Sequence, residues 1–299
     1  MKQVLITGAG GVLGRAILDH LRHFSQIEVA ALDIHKGDLP TRYPEITAFD
    51  LNDFQHGKIN FENLDAIIHC AFTRSQNGGA LASSIDFTKK IFDLAVHHNI
   101  SKVINISSQS IYGGYREHAS SEEDPVDPVD AYAVAKYACE KLSNAIFSDS
   151  ACLVTNVRMA SLIGVRYPER IVYKMSKYAL QTGKIKIVGG SQLFSFLHLQ
   201  DAVAGLMSIL NSSIKKWDSV YNLGTSEQYD IHTLAQTIAE VIREKTGKTI
   251  EIEVEISDVK HAIPLDVAKI KRDFNWEAKI SLREAVCETI DYLLAQEEL

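Results

Sequence analysis

"QVLITGAGGVLG" occupies residues 3–14. It begins as a short apolar run and ends in glycines. It then passes into "RAILDHLRH" (15–23), where apolar residues recur at helical spacing. The stretch reads as strand, tight turn and helix, with Gly8, Gly11 and Gly14 at three-residue intervals. That spacing is G-x-x-G-x-x-G rather than G-x-G-x-x-G, but the physics is shared. A tight turn needs Gly8, Gly11 lets backbone approach a pyrophosphate, and Gly14 lets helix and strand pack closely. The helix N-terminus faces the anion.

Working outward, the alternation repeats. "EVAALD" (28–33), "EITAFD" (45–50), "AIIHCA" (66–71), "KVINISS" (102–108) and "CLVTNVR" (152–158) read as buried strands. Helical patterns lie between them at about 12–23, 80–98 and 131–148. Strands buried on both faces and alternating with helices predict a parallel, doubly wound sheet. After about residue 160 the texture changes. A helix over 170–183, a strand over 184–190, a buried strand over 220–224, a helix over 231–246, a strand over 249–255 and a terminal helix over 281–295 are expected. The fold class is therefore α/β: a Rossmann-type doubly wound parallel sheet with a smaller C-terminal α/β substrate lobe. Residues 1–160 plus about 195–225 form the expected dinucleotide-binding domain, and about 161–194 and 226–299 the lobe.

Composition narrows the function classes. The 299 residues carry 31 Lys and Arg against 38 Asp and Glu, a net charge of −7. A mildly acidic chain without a basic stripe argues against nucleic acid as the main ligand. No apolar run approaches the roughly 18 residues of a membrane span, and the N-terminal run has no signal-peptide pattern. Cys70, Cys139, Cys152 and Cys287 are scattered, which suits reduced thiols in a cytoplasmic protein. No H-E-x-x-H or Cys/His cluster occurs, so no metal is expected. "ALDIHK" (31–36) ends the second strand at Asp33. A carboxylate there accepts ribose hydroxyls and repels a 2′-phosphate. No arginine follows nearby, so NAD rather than NADP is the expected cofactor.

With these features in place, the chain resembles the extended short-chain dehydrogenase/reductases, the NAD-dependent epimerase/dehydratase group. "FDLND" (49–53), "IIHCAF" (67–72), "ISSQSIYGG" (106–114), "EEDPVDPVDAYAVAK" (122–136), "FLHLQDAV" (196–203), "YNLG" (221–224) and "AKIKRDFNWEAKISLREAV" (268–286) are similar to family segments in the family's order. The resemblance implies cofactor contacts at Gly8, Gly11, Val12, Leu13, Gly14 and Asp33. It implies further ones at Asp50 and Leu51 beside the adenine, and at Cys70, Ala71, Phe72, Ser107, Tyr132, Lys136 and Ala160. It also implies a homodimer through a helix bundle containing 131–148.

Tyr132 and Lys136 are four residues apart and share a helix face. A positioned ammonium stabilises the phenolate and lowers the tyrosine from about 10 towards neutrality, where it serves as base or acid. Ser108 matches the family's catalytic serine and would hold the reacting oxygen; Ser107 and Ser110 are its neighbours. Family dehydratases carry an Asp-Glu pair where Gln109 and Ser110 stand, and the reductase–epimerases of the GDP-fucose type carry a cysteine at Ser110. An epimerase or a dehydrogenase needs only the trio.

The expected function is NAD-dependent epimerisation or oxidoreduction of a sugar-type small molecule, a nucleotide sugar foremost. Departures keep a second reading open: a dehydrogenase of a free sugar, sugar acid or other small alcohol. Phe194 stands where nucleotide-sugar enzymes usually have a pyrophosphate-gripping arginine. The segment 257–266 lacks a second such arginine, and Ser161 replaces a common asparagine. Arg158, Arg166, Arg170 or Lys174 could substitute as anion clamps. Ser110, Ser161, Arg170 and Phe194 are thus the candidate substrate residues. A third reading, a non-catalytic NAD sensor, conflicts with retention of Ser108, Tyr132 and Lys136.

Overall fold

A computed structural model describes residues 3–165, 167–189, 192–255, 257 and 262–297. In chain order the first elements are β1 (Gln3–Thr7), α1 (Val12–Leu21), β2 (Glu28–Leu32), α2 (Leu39–Arg42), β3 (Thr47–Phe49) and α3 (Leu51–Gln55). Then come β4 (Ala66–His69), α4 (Gly78–His97), β5 (Lys102–Ser108), α5 (Ala131–Ile146) and β6 (Leu153–Met159). The later elements begin with β7 (Ser161–Ile163), α6 (Ile171–Thr182), β8 (Lys184–Val188), β9 (Leu193–Phe194), β10 (Phe196–His198) and α7 (Leu199–Leu210). The chain closes with β11 (Val220–Leu223), β12 (Tyr229–Asp230), α8 (Ile231–Thr246), β13 (Glu251–Glu255), α9 (Ala268–Phe274) and α10 (Leu282–Glu297).

Seven strands form one sheet in the order β11-β6-β5-β4-β1-β2-β3. The pairings of β1 with β2 and β4, of β2 with β3 and of β4 with β5 are parallel. The order 3-2-1-4-5-6 is that of a doubly wound sheet, and it reverses between β1 and β4. Ligands bind such sheets beyond the carboxyl ends of the strands at that reversal, where the glycine loop leaves β1. Val4, Leu5 and Ile6 are fully buried, as helices on both faces require. α1 packs inward through Leu13, Ile17, Leu18 and Leu21, an amphipathic stripe.

One buried chain ties β1, β4 and α4 together just below the loop. The Thr88 hydroxyl donates to the Ser84 carbonyl (2.8 Å), so it accepts from His69 Nε2 (2.9 Å). His69 Nδ1 then accepts from the Thr7 hydroxyl (2.7 Å). Burial holds this imidazole neutral, its pKa down to about 3.

Two compact units arise. The first comprises Met1–Ile111, Val126–Arg158 and Leu206–Tyr221; the second comprises Tyr112–Pro125, Met159–Gly205 and Asn222–Leu299. The second unit has its own core, with Val172, Leu180, Ile185, Leu234, Ile238, Ile242, Val286 and Ile290 among its members. β8 and β13 pair in parallel there. Its helices end by the ordinary rules: Asp230 caps α8 by accepting the Thr233 N–H (2.6 Å), and Gly247 closes it in the left-handed region. The segment 112–125 is stitched to 262–266 by single bridges at Tyr115–Ala262 and Ser120–Leu265. Asn222, fully buried, donates to the Ser120 and Asp266 carbonyls and accepts from the Tyr112 hydroxyl.

Candidate active site

The glycine loop is built as its spacing predicts. Gly8 has φ +67°, and a Cβ on it would lie 2.7 Å from the Ala71 nitrogen. A Cβ on Gly14 would lie 2.2 Å from the Gly8 carbonyl oxygen. Neither position admits a side chain. Gly11 is the N-cap of α1, offers no side-chain cap, and the first turn of the helix holds no acidic residue. The first-turn amides, Val12 and Leu13 among them, are therefore served by no side chain, and the helix dipole adds positive potential. A dinucleotide pyrophosphate would accept from those amides.

Asp33 closes the other side of the loop. Its Oδ2 accepts the Gly10 N–H (2.7 Å) and its Oδ1 the Ile34 N–H (2.7 Å). Cations near it are committed elsewhere: Arg15 pairs with Asp38, and Lys36 with Asp53 (2.6 Å). A fixed carboxylate with no spare cation beside it among the described residues suits a ribose diol and rejects a 2′-phosphate, so NAD fits this loop. Asp33→Asn keeps an acceptor for Gly10 but removes the charge. We expect NAD affinity to fall about tenfold, one charge-assisted hydrogen bond's worth, and the preference over NADP to shrink. Titration of both cofactors against both proteins checks this, and an unchanged preference would refute the role of Asp33.

Asp50 and Leu51 lie beside this carboxylate, since the Leu51 N–H reaches the Ile34 carbonyl (3.4 Å). The Asp50 side chain is the N-cap of α3: it accepts the Asp53 N–H (2.9 Å) while Asp53 accepts the Asp50 N–H (3.3 Å). Ile34, 65% exposed, adds apolar surface between them. It was not among the sequence candidates, although an apolar residue just after the ribose carboxylate is a usable signal.

At the exit of β4, the Cys70 and Ala71 amides bond to Thr7, through its carbonyl (3.1 Å) and hydroxyl (3.3 Å). Burial pushes the Cys70 thiol up to about 12, so it stays protonated. Phe72 stands edge-on to the Tyr132 ring, centroids 5.9 Å apart, and its face lies 4.0 Å from Lys136 Nζ.

β5 and α5 bring the trio to the same end of the sheet. Ser108 ends β5, and its hydroxyl shares a 2.9 Å hydrogen bond with that of Ser110. Asp130 caps α5 by accepting the Ala133 N–H (2.8 Å). Tyr132 follows in the first turn, its N–H donating to Gln76 Oε1 (3.3 Å). One turn on, Lys136 is 4% exposed and donates to the Ile106 carbonyl of β5 (2.7 Å). Burial lowers its pKa to about 8. Ser107 faces inward and donates to Glu140 (2.6 Å), which also takes Arg158 Nε (3.1 Å) and Nη2 (2.8 Å). Gln109 and Ser110 occupy a short 3₁₀ turn and contribute no carboxylate.

The remaining candidates belong to the second unit. Ala160 is buried, its N–H on the Leu223 carbonyl (2.9 Å). Ser161 opens β7. Arg170 is the N-cap residue of α6, its guanidinium over the Tyr167 ring at 5.4 Å. Phe194 lies flat on Phe196, centroids 5.6 Å apart and planes within 4°. Of the substitute anion clamps, Arg158 is ruled out by its buried pair with Glu140. Lys174 pairs with Glu169 (3.1 Å), and Arg166 lies outside the described residues. Sequence reasoning missed Arg74, whose guanidinium carbon sits 5.7 Å over the Tyr132 ring, and Glu140, which anchors the helix.

Known proteins resemble this chain in sequence and in fold. The model of the NAD dependent epimerase/dehydratase family matches residues 4–224. dTDP-D-glucose 4,6-dehydratase of Mus musculus is 24% identical over 317 residues, covering 97% of this chain and 88% of that protein. UDP-glucuronic acid 4-epimerase from Bacillus cereus, solved with UDP-glucuronic acid and NAD, superposes with a TM-score of 0.85 at 19% identity, covering 98% of this chain and 99% of that one. UDP-N-acetylglucosamine 4-epimerase from Bacillus cereus gives 0.81 at 20% identity over 100% and 98%. These structural likenesses establish a shared fold.

Proposed function

The chain belongs to the NAD-dependent epimerase/dehydratase family, and from that premise we propose that it is an NAD-dependent epimerase of a nucleotide sugar. The observation that carries the reading is the placement of Lys136. Its ammonium is tied to the Ile106 carbonyl two residues before Ser108, on the same helix face as Tyr132.

NAD, when bound, supplies a reversible hydride acceptor. Gly8, Gly11, Gly14, Asp33 and the first-turn amides of α1 would hold it. Tyr132 takes the proton of the sugar hydroxyl as the carbon is oxidised and returns it on reduction. Ser108 donates to the reacting oxygen while charge develops there. Lys136 keeps a positive charge beside the phenol, and its remaining N–H groups are available to the nicotinamide ribose. Epimerisation results when the ketone presents its opposite face before the reverse step. With Gln109 and Ser110 in place of an acidic pair, nothing at that turn expels water.

UDP-sugar complexes among the structural neighbours support a nucleotide-sugar substrate. Phe194, stacked on Phe196 where an arginine would grip pyrophosphate, favours a second reading, a dehydrogenase of a free sugar or sugar acid. Among the described residues no helix is long and apolar enough to cross a membrane. A cytoplasmic location and a homodimer built on α5, which leaves Val134 52% exposed, complete the proposal.

The test is incubation of the NAD-loaded protein with UDP-sugars, following products by NMR and reduced nicotinamide by absorbance. An epimer should form with no net rise in reduced cofactor. Steady accumulation of reduced cofactor would instead establish a dehydrogenase.

A further inference from the structure

Arg74 follows β4 on a segment that is unusually well tied. The Thr73 N–H donates to Ser84 Oγ (3.2 Å), the Ser75 N–H to Thr73 Oγ1 (3.2 Å) and the Asn77 N–H to Ser75 Oγ (2.9 Å). Gln76 reaches across to the Tyr132 N–H. The segment therefore holds Arg74 in a set place over the first turn of α5.

Two cations lie close to the Tyr132 ring. The Arg74 guanidinium carbon is 5.7 Å and the Lys136 ammonium 6.0 Å from the ring centroid. Arg74 makes no ion pair with any described residue, and the same holds for several other exposed cations such as Lys90 and Lys141. Two cations repel each other here across an aromatic ring. An arginine stacked on a ring keeps its N–H edge free, and that edge matches a carboxylate in two parallel hydrogen bonds.

We propose that Arg74 recognises a carboxylate on the sugar carbon next to the one that reacts. The substrate class is then an acidic sugar of the hexuronate type. The argument rests on the reading of Tyr132 as the proton-transfer residue. A sugar whose hydroxyl meets the Tyr132 hydroxyl brings the substituent of the adjacent carbon within reach of a group poised over that ring. A neutral hydroxymethyl group would leave the guanidinium without a counter-charge. A carboxylate relieves the Arg74–Lys136 repulsion and gains charge-assisted hydrogen bonds.

The experiment uses the full chain loaded with NAD, wild type, Arg74→Gln and Arg74→Lys. Two matched pairs of probes are offered: UDP-glucuronic acid with UDP-glucose, and free glucuronate with free glucose. In whichever pair is turned over, the wild type should prefer the acid by about tenfold or more in kcat/KM, the scale of charge-assisted hydrogen bonds. Arg74→Gln should collapse the ratio mainly through KM for the acid, and Arg74→Lys should restore part of it. A change in folding would lower both members of a pair and leave the ratio intact. Turnover of the free pair alone overturns the nucleotide-sugar reading and keeps Arg74 in its role. A preference for the neutral sugar, an acid preference that Arg74→Gln leaves in place, or no turnover of either acid overturns the assignment of Arg74.

Discussion

Lys136→Met and Tyr132→Phe are each expected to lower turnover by about 10²–10⁴, the usual contribution of a positioned acid–base group, and Lys136→Met should also change how stability depends on pH. Lys136 is buried and its pKa is lowered from 10.5 to about 8, with desolvation as the main cause. A base whose folded pKa is depressed binds fewer protons folded than unfolded between those values. Stability therefore rises with pH across the window from about 8 to 10.5, and below it the folded state bears the full cost of a buried charge. At about 1.4 kcal/mol per unit, that cost is on the order of 3 kcal/mol. Methionine removes it and leaves the Ile106 carbonyl without its donor, a loss of about 1–3 kcal/mol. The net at neutral pH is small, but its pH dependence is not. The stability of Lys136→Met relative to wild type should fall by about 3 kcal/mol from pH 8 to 10.5. Urea melts of both proteins at a series of pH values measure this. Parallel curves would show that Lys136 is not the strained ammonium described here. Tyr132→Phe should lose turnover while NAD still binds.

The pairing of Tyr132 with Lys136 shows what local sequence can and cannot disclose. Gly8 and Gly14 were legible because a chain that turns from strand into helix within a few residues has no room for Cβ atoms there. β1, β2, β4 and β5 were legible because strands buried on both faces read as unbroken apolar runs. α7 was not, because Leu199, Ala202, Val203, Leu206, Met207, Ile209 and Leu210 are buried nearly all round it and blur the helical period. The Asp50–Asp53 box could have been found, since an acid three residues after a capping residue is a helix-start signal. Arg74 could not: a lone arginine after a strand shows no periodicity, and only folding sets it over Tyr132. The Lys136 strain was equally hidden, because four-residue spacing gives a shared face but says nothing of burial.

Glu140 is the clearest case of a role that only the fold exposes, and removing it should unfold the protein more readily than any other single change at the site. Residues 132, 136 and 140 lie along one face of α5. Glu140 is fastened to β5 through Ser107 and to β6 through Arg158, with both charged side chains at most 5% exposed. A buried ion pair is not in itself strongly stabilising, because desolvation of both charges offsets their attraction. Loss of one partner is different: Glu140→Leu leaves the Arg158 guanidinium buried without its carboxylate and the Ser107 hydroxyl without its acceptor. The expected loss is about 3–5 kcal/mol. Glu140→Leu with Arg158→Met removes both charges, and the double variant should recover most of it. The helix would then be held by packing alone, so turnover should recover less than stability does. That split would identify the Glu140 clamp as what fixes Lys136 and Tyr132 in register with Ser108. A single variant losing under about 1 kcal/mol, or a double variant no more stable than the single, would mean that α5 is seated by its apolar face and that the buried pair is incidental.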